Sequence, residues 1–185
     1  MKFVYVLLLP IFILSCEKSS VKTYHIPKQI INVASLKIDT PINWQIPNNW
    51  IKKDNTQFRI ESRSINDTQT QSETDFSITK FPDSAGNLLA NINRWRTQLN
   101  LPIINETEIN NSIEKINHDF LDITLTKFNS SKKLINDTYF KSTYVSFFKH
   151  NEFTYYVKLT GESNHLQRLL NEYINILKTI SYEQN

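Results

Sequence analysis

The chain contains little glycine and only one cysteine, and each scarcity excludes a class of site. Gly86 and Gly161 are the only glycines, whereas dinucleotide-binding and P-loop motifs need several glycines where the backbone approaches phosphate. The single cysteine, Cys16, excludes disulfide frameworks, Cys-x-x-Cys redox motifs and zinc sites built from several cysteines. A net charge of +3 is too small for the dense basic surface that nucleic acids require, so no nucleic-acid partner is predicted.

The composition favours one folded domain with a short extension. Hydrophobic residues make up 39% of the 185 residues and charged residues 21%, which is enough apolar material for a packed core. No repeat and no break rich in proline, glycine or serine divides residues 40–185. We therefore predict a single domain over residues 40–185.

The first sixteen residues predict export and lipid attachment. Residues 3–14 are apolar, a run shorter than the about 20 residues of a membrane-spanning helix but suited to a signal peptide. Ile13-Leu14-Ser15-Cys16 resembles the lipobox of bacterial lipoproteins. The resemblance implies cleavage after Ser15 and a diacylglyceryl thioether on Cys16. The alternative is a plain signal peptide, or a membrane anchor, with an incidental thiol.

The same resemblance implies a location. Residues 1–15 are the expected signal peptide, and residues 16–39 comprise the lipidated cysteine and a tether that holds the domain to a membrane. Glu17 stands where an aspartate would favour retention at the inner membrane in enteric bacteria. The expected location is therefore the bacterial cell envelope, facing the periplasm, with the outer membrane slightly favoured.

Apolar periodicity predicts an α+β fold with an antiparallel sheet flanked by helices. Alternation indicates strands at residues 42–46, 58–63, 75–80, 121–126, 143–148 and 153–159, with Gly161 ending the last one. Apolar residues at helical spacing indicate helices over residues 88–99 and 163–179, with a shorter one over residues 107–116. Residues 66–74 are predicted to be a loop or long hairpin connection. Because each longer helix carries one apolar stripe, each should cover a face of the sheet.

No residue pattern predicts catalysis. The four histidines lack the spacing of a metal-binding face: His25, His118, His150 and His165. There is no Gly-x-Ser-x-Gly nucleophile motif, and the Ser-x-x-Lys matches at Ser112 and Ser130 lack the motifs that accompany them in penicillin-binding enzymes. We therefore predict no enzymatic activity, no cofactor and no metal.

A polar strip on the helix predicted over residues 88–99 is the candidate binding surface. Asn91, Arg94 and Gln98 stand on one line beside the apolar stripe, where they could contact a partner or ligand. The alternative is a solvated flank around a core tryptophan, Trp95. Trp50 follows a turn and is placed at a rim, where an indole suits a partner surface.

The same region carries a family resemblance. Trp44-x-x-Pro47-x-x-Trp50 and Asn91-x-x-Arg94-Trp95-x-x-Gln98-Leu99 look like a group of uncharacterised bacterial lipoproteins related in fold to the PsbP/Mog1 class. The resemblance covers about residues 40–182. It implies an α/β/α sandwich and a non-enzymatic accessory or binding role, and it transfers no catalytic residue.

Two functions are carried forward from the sequence. The first is a lipid-anchored envelope protein whose domain binds an envelope protein or assists assembly of a membrane complex through Asn91, Arg94, Gln98 and Trp50. The alternative is a carrier of a small molecule or lipid in a pocket between sheet and helix. An undetected hydrolase is the least favoured.

Overall fold

A seven-stranded antiparallel sheet lies at the centre of the computed structural model, which describes residues 42–84 and 87–182. The elements in chain order are β1 (Ile42–Asn43), β2 (Ile51–Lys52), β3 (Arg59–Asp67), β4 (Ser72–Pro82), α1 (Leu88–Gln98), α2 (Glu106–Asn110), β5 (Ile113–Ile116), β6 (Ile123–Ile135), β7 (Tyr139–His150), β8 (Phe153–Glu162), α3 (Ser163–Lys178) and β9 (Ser181–Tyr182). The sheet has the order β2-β3-β4-β8-β7-β6-β5, and β1 pairs with β9 separately. The predicted α+β class is confirmed.

Helices cover both faces of this sheet, so the domain has three layers. On one face α3 packs through Leu166, Leu169 and Tyr173, and these side chains share a core with Phe76 and Val157 of the sheet. Full burial of a large apolar side chain contributes about 1.5–3 kcal/mol relative to exposure. This larger core therefore supplies much of the driving force for folding.

The opposite face is covered by α1 and α2. Ile92, Trp95 and Leu99 of α1 pack against Val145 and Tyr156 of the sheet, and α2 adds a buried isoleucine to the same cluster. The expectation that each longer helix lies on a face of the sheet is confirmed. Within the described part of the chain, no helix is both long and apolar enough to cross a membrane.

The hairpins are tighter and the strands longer than the alternation predicts. The β6–β7 turn has Asn136 and Asp137 at φ values of 48° and 51°, and the β7–β8 turn has Asn151 and Glu152 at 47° and 63°. Positive φ at two successive residues is the geometry of a two-residue turn that matches the twist of the strands. The strands can therefore continue to the turn itself.

The predicted loop over residues 66–74 is wrong for most of its length. Asp67 pairs with Ser72, so β3 and β4 run almost to the tip of a short hairpin. The Asp67 carboxylate accepts hydrogen bonds from the backbone N–H of Gln69 at 3.1 Å and from Thr70 Oγ1 at 2.6 Å. These side-chain hydrogen bonds close the turn without a glycine. The segment therefore resembles a polar loop in sequence, although it forms a short hairpin.

Three predicted element ends are also corrected. The helix predicted over residues 107–116 ends at Asn110, and residues 113–116 become β5 because they pair with β6. From the sequence, Asp83 or Ser84 could cap this helix, but the N-cap of α1 is Asn87, whose side chain accepts a hydrogen bond from the N–H of Ala90 at 2.7 Å. Gly161 lies inside β8 instead of ending it.

Predictions about residues 1–39 concern a part of the chain outside the described residues. They comprise the signal peptide over residues 1–15, the lipidation of Cys16 and the tether over residues 16–39. The described residues belong to one compact unit, Thr40–Asn185.

Candidate functional site

The polar strip on α1 begins with a residue that is anchored to the sheet. Asn91 is half-buried, and its Nδ2 donates a hydrogen bond to the hydroxyl oxygen of Tyr156 at 3.1 Å. Its Oδ1 accepts a hydrogen bond from Arg94 Nη2 at 2.9 Å. The guanidinium of Arg94 also lies 5.8 Å from the ring centre of Trp95. The sheet therefore positions Asn91, and Asn91 in turn positions Arg94.

Arg94 and Gln98 are exposed on the same side of α1. They stand one helical turn apart, as the sequence predicted, and Trp95 between them is buried in the core below. An exposed guanidinium that is already held by a neighbour loses less conformational entropy on binding a carboxylate or carbonyl than a mobile one does. The strip is therefore suited to contact a polar surface.

Trp50 does not belong to this surface. Its side chain is only 1% exposed, its Nε1 donates a hydrogen bond to Glu172 Oε2 at 3.0 Å, and its ring meets that of Phe76 edge-on at 5.1 Å. The prediction of a rim position is wrong. The turn at residues 48–49 directs the indole inward, towards α3, because that face of the sheet carries the larger apolar core.

A lysine of the sheet lies beside the strip. Lys158 is on the α1 side of β8, between Ser77 of β4 and Val145 of β7, and it is half-buried. Burial lowers the pKa of Lys158, the nearby cations Arg59 and Arg94 lower it further, and Asp75 opposes the shift.

A cavity of about 460 Å³ opens next to Lys158 at the C-terminal end of α1. Its polar lining comes from four elements and includes Gln98 of α1, Lys141 of β7, Lys158 and Thr160 of β8, and Ser72, Glu73 and Asp75 of β4. The cavity thus brings Gln98 from the predicted strip together with two lysines that are distant in sequence.

A second cavity, of about 590 Å³, lies at the N-terminal end of α1. Apolar side chains of Leu88, Ile109 and Phe147 form part of its wall, together with the ring of Tyr156. At its edge, Lys149 Nζ lies 3.5 Å from Asp83 Oδ2. Its volume falls in the range of about 300–1,000 Å³ that is common for small-molecule sites.

The histidines of the described residues have structural contacts. His118 Nε2 lies 2.9 Å from the carbonyl oxygen of Ile180, and His165 Nδ1 lies 2.9 Å from Thr74 Oγ1. The ring of His150 packs 4.4 Å from that of Tyr182. Across residues 42–84 and 87–182, no group of three or more His, Cys, Asp or Glu side chains is arranged to hold a metal ion.

Comparisons with known proteins show only distant likenesses. No protein-family model and no curated protein matches the chain. A crystal structure from Bacteroides thetaiotaomicron is similar over 78% of this chain and 46% of that one, at 12% identity and a TM-score of 0.48. The chain thus spans less than half of that protein.

A second structure is that of LpqN, a protein involved in cell envelope biogenesis of Mycobacterium tuberculosis. It is similar over 76% of this chain and 83% of its own, at 11% identity and a TM-score of 0.41. Likenesses at this level carry no inference about function, and the resemblance to the PsbP/Mog1 class is not confirmed.

Sequence reasoning missed the two lysines of the smaller cavity. Lys158 lies in an alternating strand, on the same side as Tyr156 and opposite Tyr155, Val157 and Leu159. That side is partly covered by α1, as the burial of Tyr156 shows. A large aromatic residue next to a lysine on the polar side of a strand was the available signal that this side is covered as well.

Proposed function

We propose that this chain is a lipid-anchored protein of the bacterial cell envelope whose domain, without catalysis, binds an envelope protein partner or assists assembly of a membrane complex. The anchor is supported by the lipobox-like residues that end at Cys16, the only cysteine of the chain. The binding role is supported by the exposed, positioned Arg94 and its neighbour Gln98.

The two successive hydrogen bonds that join Tyr156, Asn91 and Arg94 are the main support for the binding role. A buried tyrosine hydroxyl accepts from Asn91, and Asn91 accepts from the exposed guanidinium, with both hydrogen bonds near 3 Å. Arginine presents several donors in a planar fork, which suits a carboxylate or a pair of carbonyl oxygens on a partner. We infer that the partner presents such acceptors opposite α1.

Crosslinking in intact cells tests this role. The full-length protein, expressed in its own host, is compared with the double variant Arg94→Ala/Gln98→Ala and with the control Asn171→Ala/Lys178→Ala. The control removes two exposed polar side chains from α3, on the opposite face of the sheet. We expect one envelope protein to be captured by the wild type and the control, and to be lost from the Arg94/Gln98 variant.

Stability measurements keep this test interpretable. Exposed substitutions away from special features usually change stability by less than about 0.5 kcal/mol. Both double variants should therefore melt within a few degrees of the wild type. A collapse in Tm of the Arg94/Gln98 variant would show that these side chains are structural, and equal capture by all three proteins would show that the strip is not the interface.

The anchor has a separate test. Metabolic labelling with a palmitate analogue should mark the wild-type protein and leave the Cys16→Ser variant unlabelled. The variant should also lose its association with membranes on carbonate extraction, because acyl chains contribute roughly 0.8 kcal/mol for each buried methylene group. Equal labelling of both proteins would contradict lipidation at Cys16.

A second candidate function, carriage of a small molecule or lipid, is favoured by the cavity of about 590 Å³ at the N-terminal end of α1. Its apolar wall and charged edge suit a ligand with an apolar body and a polar end. Native mass spectrometry of protein purified from its own host tests this role. A reproducible bound mass would support a carrier, and a ligand-free spectrum from several preparations would count against it.

A further inference from the structure

We propose that the cavity between the C-terminal end of α1 and strands β4, β7 and β8 is a binding site for the oxyanion group, phosphate or carboxylate, of a small ligand. Its donors are the ammonium groups of Lys141 and Lys158, the side-chain amide of Gln98 and the hydroxyl of Thr160. This site shares Gln98 with the partner surface around Arg94, but its two lysines lie outside that surface, and it does not depend on the lipid anchor.

The register of the sheet places these donors on one face. Lys158 pairs with Val145, and Thr160 pairs with Thr143, so the side chains of Lys158 and Thr160 point to the same side as that of Lys141, two residues before Thr143. The C-terminal end of α1 brings Gln98 to the same cavity from above the sheet. Three elements therefore converge on a space of about 460 Å³, enough for a small organic anion.

The charge in the cavity is unbalanced. Asp75 is bound by Arg59 through two hydrogen bonds of 2.8 and 3.0 Å, and Glu73 forms an ion pair with Lys53. The carboxylates of the cavity wall are thus each engaged by a cation outside the donor set. Within residues 42–84 and 87–182, no ion pair is formed by either lysine of the cavity. Their positive charge is available to a ligand.

Lys158 is a costly residue at this position unless an anion reaches it. It stands in the middle of the sheet, half-buried beneath α1, with Arg94 and Lys141 near enough to repel its charge. Burial lowers the pKa of Lys158, and the cations Arg59, Arg94 and Lys141 lower it further; together they outweigh Asp75, which raises it, so the charged form is disfavoured at this position. A bound oxyanion would offset the cost of burial and the repulsion by these cations, because it supplies the opposite charge and accepts hydrogen bonds.

If the charge of Lys158 were structural, Lys158→Met would be less stable than the wild type. The methylene groups of Lys158 cover part of the sheet, and methionine preserves that cover without the charge. We therefore expect Lys158→Met to be as stable as the wild type or more stable, while anion binding is lost. A group that lowers stability in the absence of its ligand is typical of a binding site.

Thermal unfolding of the full-length protein tests the site. Tm is measured in potassium phosphate, in glycerol 3-phosphate and in potassium chloride at the same ionic strength. An anion that binds the folded state alone raises Tm, and the rise grows with its concentration. We expect both phosphates to raise Tm above the chloride value in the wild type, and Lys158→Met to lower the apparent affinity at least ten-fold.

The matched control is Lys115→Met. Lys115 is on the outermost strand, β5, and its side chain is 61% exposed beside Asp122, so the variant removes one positive charge away from the cavity. This control should keep the full response to phosphate. The proposal is overturned if phosphate acts no more strongly than chloride, if Lys158→Met responds like the wild type, or if Lys115→Met loses the response equally.

A lipid headgroup and a free small anion share this chemistry, and one further comparison separates them. Short-chain phosphatidylglycerol below its micelle concentration is compared with glycerol 3-phosphate at the same concentration. A larger Tm rise with the lipid identifies a headgroup with its acyl chains as the ligand, whereas an equal rise identifies a free phosphate ester. Both results support an oxyanion site, and no Tm rise above chloride with either compound contradicts it.

Discussion

Trp50 and Glu172 are joined by a hydrogen bond of 3.0 Å, although they are 122 residues apart in sequence. The bond connects the residue before β2, at one edge of the sheet, with α3, which covers the sheet. Because the indole is also buried against Phe76, it combines apolar burial with a satisfied donor. Trp50 is therefore a structural contact between an edge of the sheet and its covering helix.

Trp50→Phe should lower the free energy of unfolding by about 1–3 kcal/mol, since it removes the donor and leaves space beside Glu172. Trp50→Ala should cost about 3–5 kcal/mol. Urea denaturation monitored by circular dichroism measures both values. Trp44→Phe serves as the control and should cost less, because Trp44 is only half-buried. If Trp50→Phe were as stable as the wild type but captured less partner, the result would support the rim position predicted from the sequence.

Gly161 is required by a close approach between β8 and β4. A Cβ atom at this position would clash with Thr74 Oγ1 and would lie 3.0 Å from Leu166 Cδ1. Gly161→Ala should therefore lower the free energy of unfolding by about 1–3 kcal/mol, the usual cost of overpacking. Combined with Thr74→Ala, which removes the clashing hydroxyl, it should cost less than the sum of the two single variants. Additive costs in this double-mutant cycle would contradict the clash.

His165 predicts a dependence of stability on pH. It is buried beside the Thr74 hydroxyl, and the charged groups that influence it are the carboxylates of Asp67, Glu162 and Glu172 and the guanidinium of Arg168. Burial is the largest cause of its lowered pKa, and Arg168 adds to it, while the carboxylates oppose it. The unfolded chain therefore binds a proton more readily than the folded one.

The stability associated with His165 is complete above the ordinary histidine pKa of 6.5 and is lost as the pH falls from there through the lower folded pKa. Guanidinium denaturation from pH 8 to pH 5 should show this loss in the wild type and a smaller one in His165→Gln. Asp67 titrates below this pH range: burial raises its pKa, but hydrogen bonds from Thr70 and Gln69 and the nearby charges of His165 and Arg168 outweigh this and leave it below 3.8. If the free energy of unfolding falls equally with pH in the wild type and in His165→Gln, the expectation is contradicted.

Tyr156, whose hydroxyl accepts the hydrogen bond from Asn91, is expected to affect both stability and the position of Arg94. Tyr156→Phe should lower the free energy of unfolding by about 1 kcal/mol, because the hydrogen bond from Asn91 is lost at a half-buried position. Partner capture should weaken as well, since Arg94 is then held less firmly.

Tyr173→Phe is the comparison for this variant. The fully buried Tyr173 hydroxyl contacts both Ser146 and Val157, so the cost in stability should be greater. Because Tyr173 lies on the opposite face of the sheet, capture per folded molecule should be unchanged. Weaker capture by this variant would show that any loss of stability, and not the positioning of Arg94, reduces binding.

Much of the fold could be predicted because its signals are local. Alternation at residues 153–159 and the helical spacing of Leu88, Ile92, Trp95 and Leu99 each depend on neighbours along the chain. Residues 113–116 show the limit: Ile113 and Ile116 also fit a helix, and only pairing with β6 makes them a strand. The short hairpin at Asp67 was missed for a similar reason, since side-chain hydrogen bonds and not glycine close it.

The candidate site was predictable only in part. Asn91, Arg94 and Gln98 could be grouped from the sequence, because residues three and four apart on a helix share a face. Lys158 could not be added to them, since nothing in the sequence shows that Gln98 and Lys158 border the same cavity. Trp50 was placed on the wrong side for the same reason, because its partners Phe76 and Glu172 come from distant elements.

The sequence by itself determined the α+β class, the apolar faces of the two longer helices and the expectation of a lipid anchor at Cys16. These follow from the two-residue period of strands, the 3.6-residue period of helices and a contiguous motif, all of which act over short distances along the chain. The tertiary structure decided that Trp50 is buried, that α1 covers Lys158 and that two cavities open at the ends of α1. Such features depend on which distant segments meet, and packing of the whole core selects that arrangement.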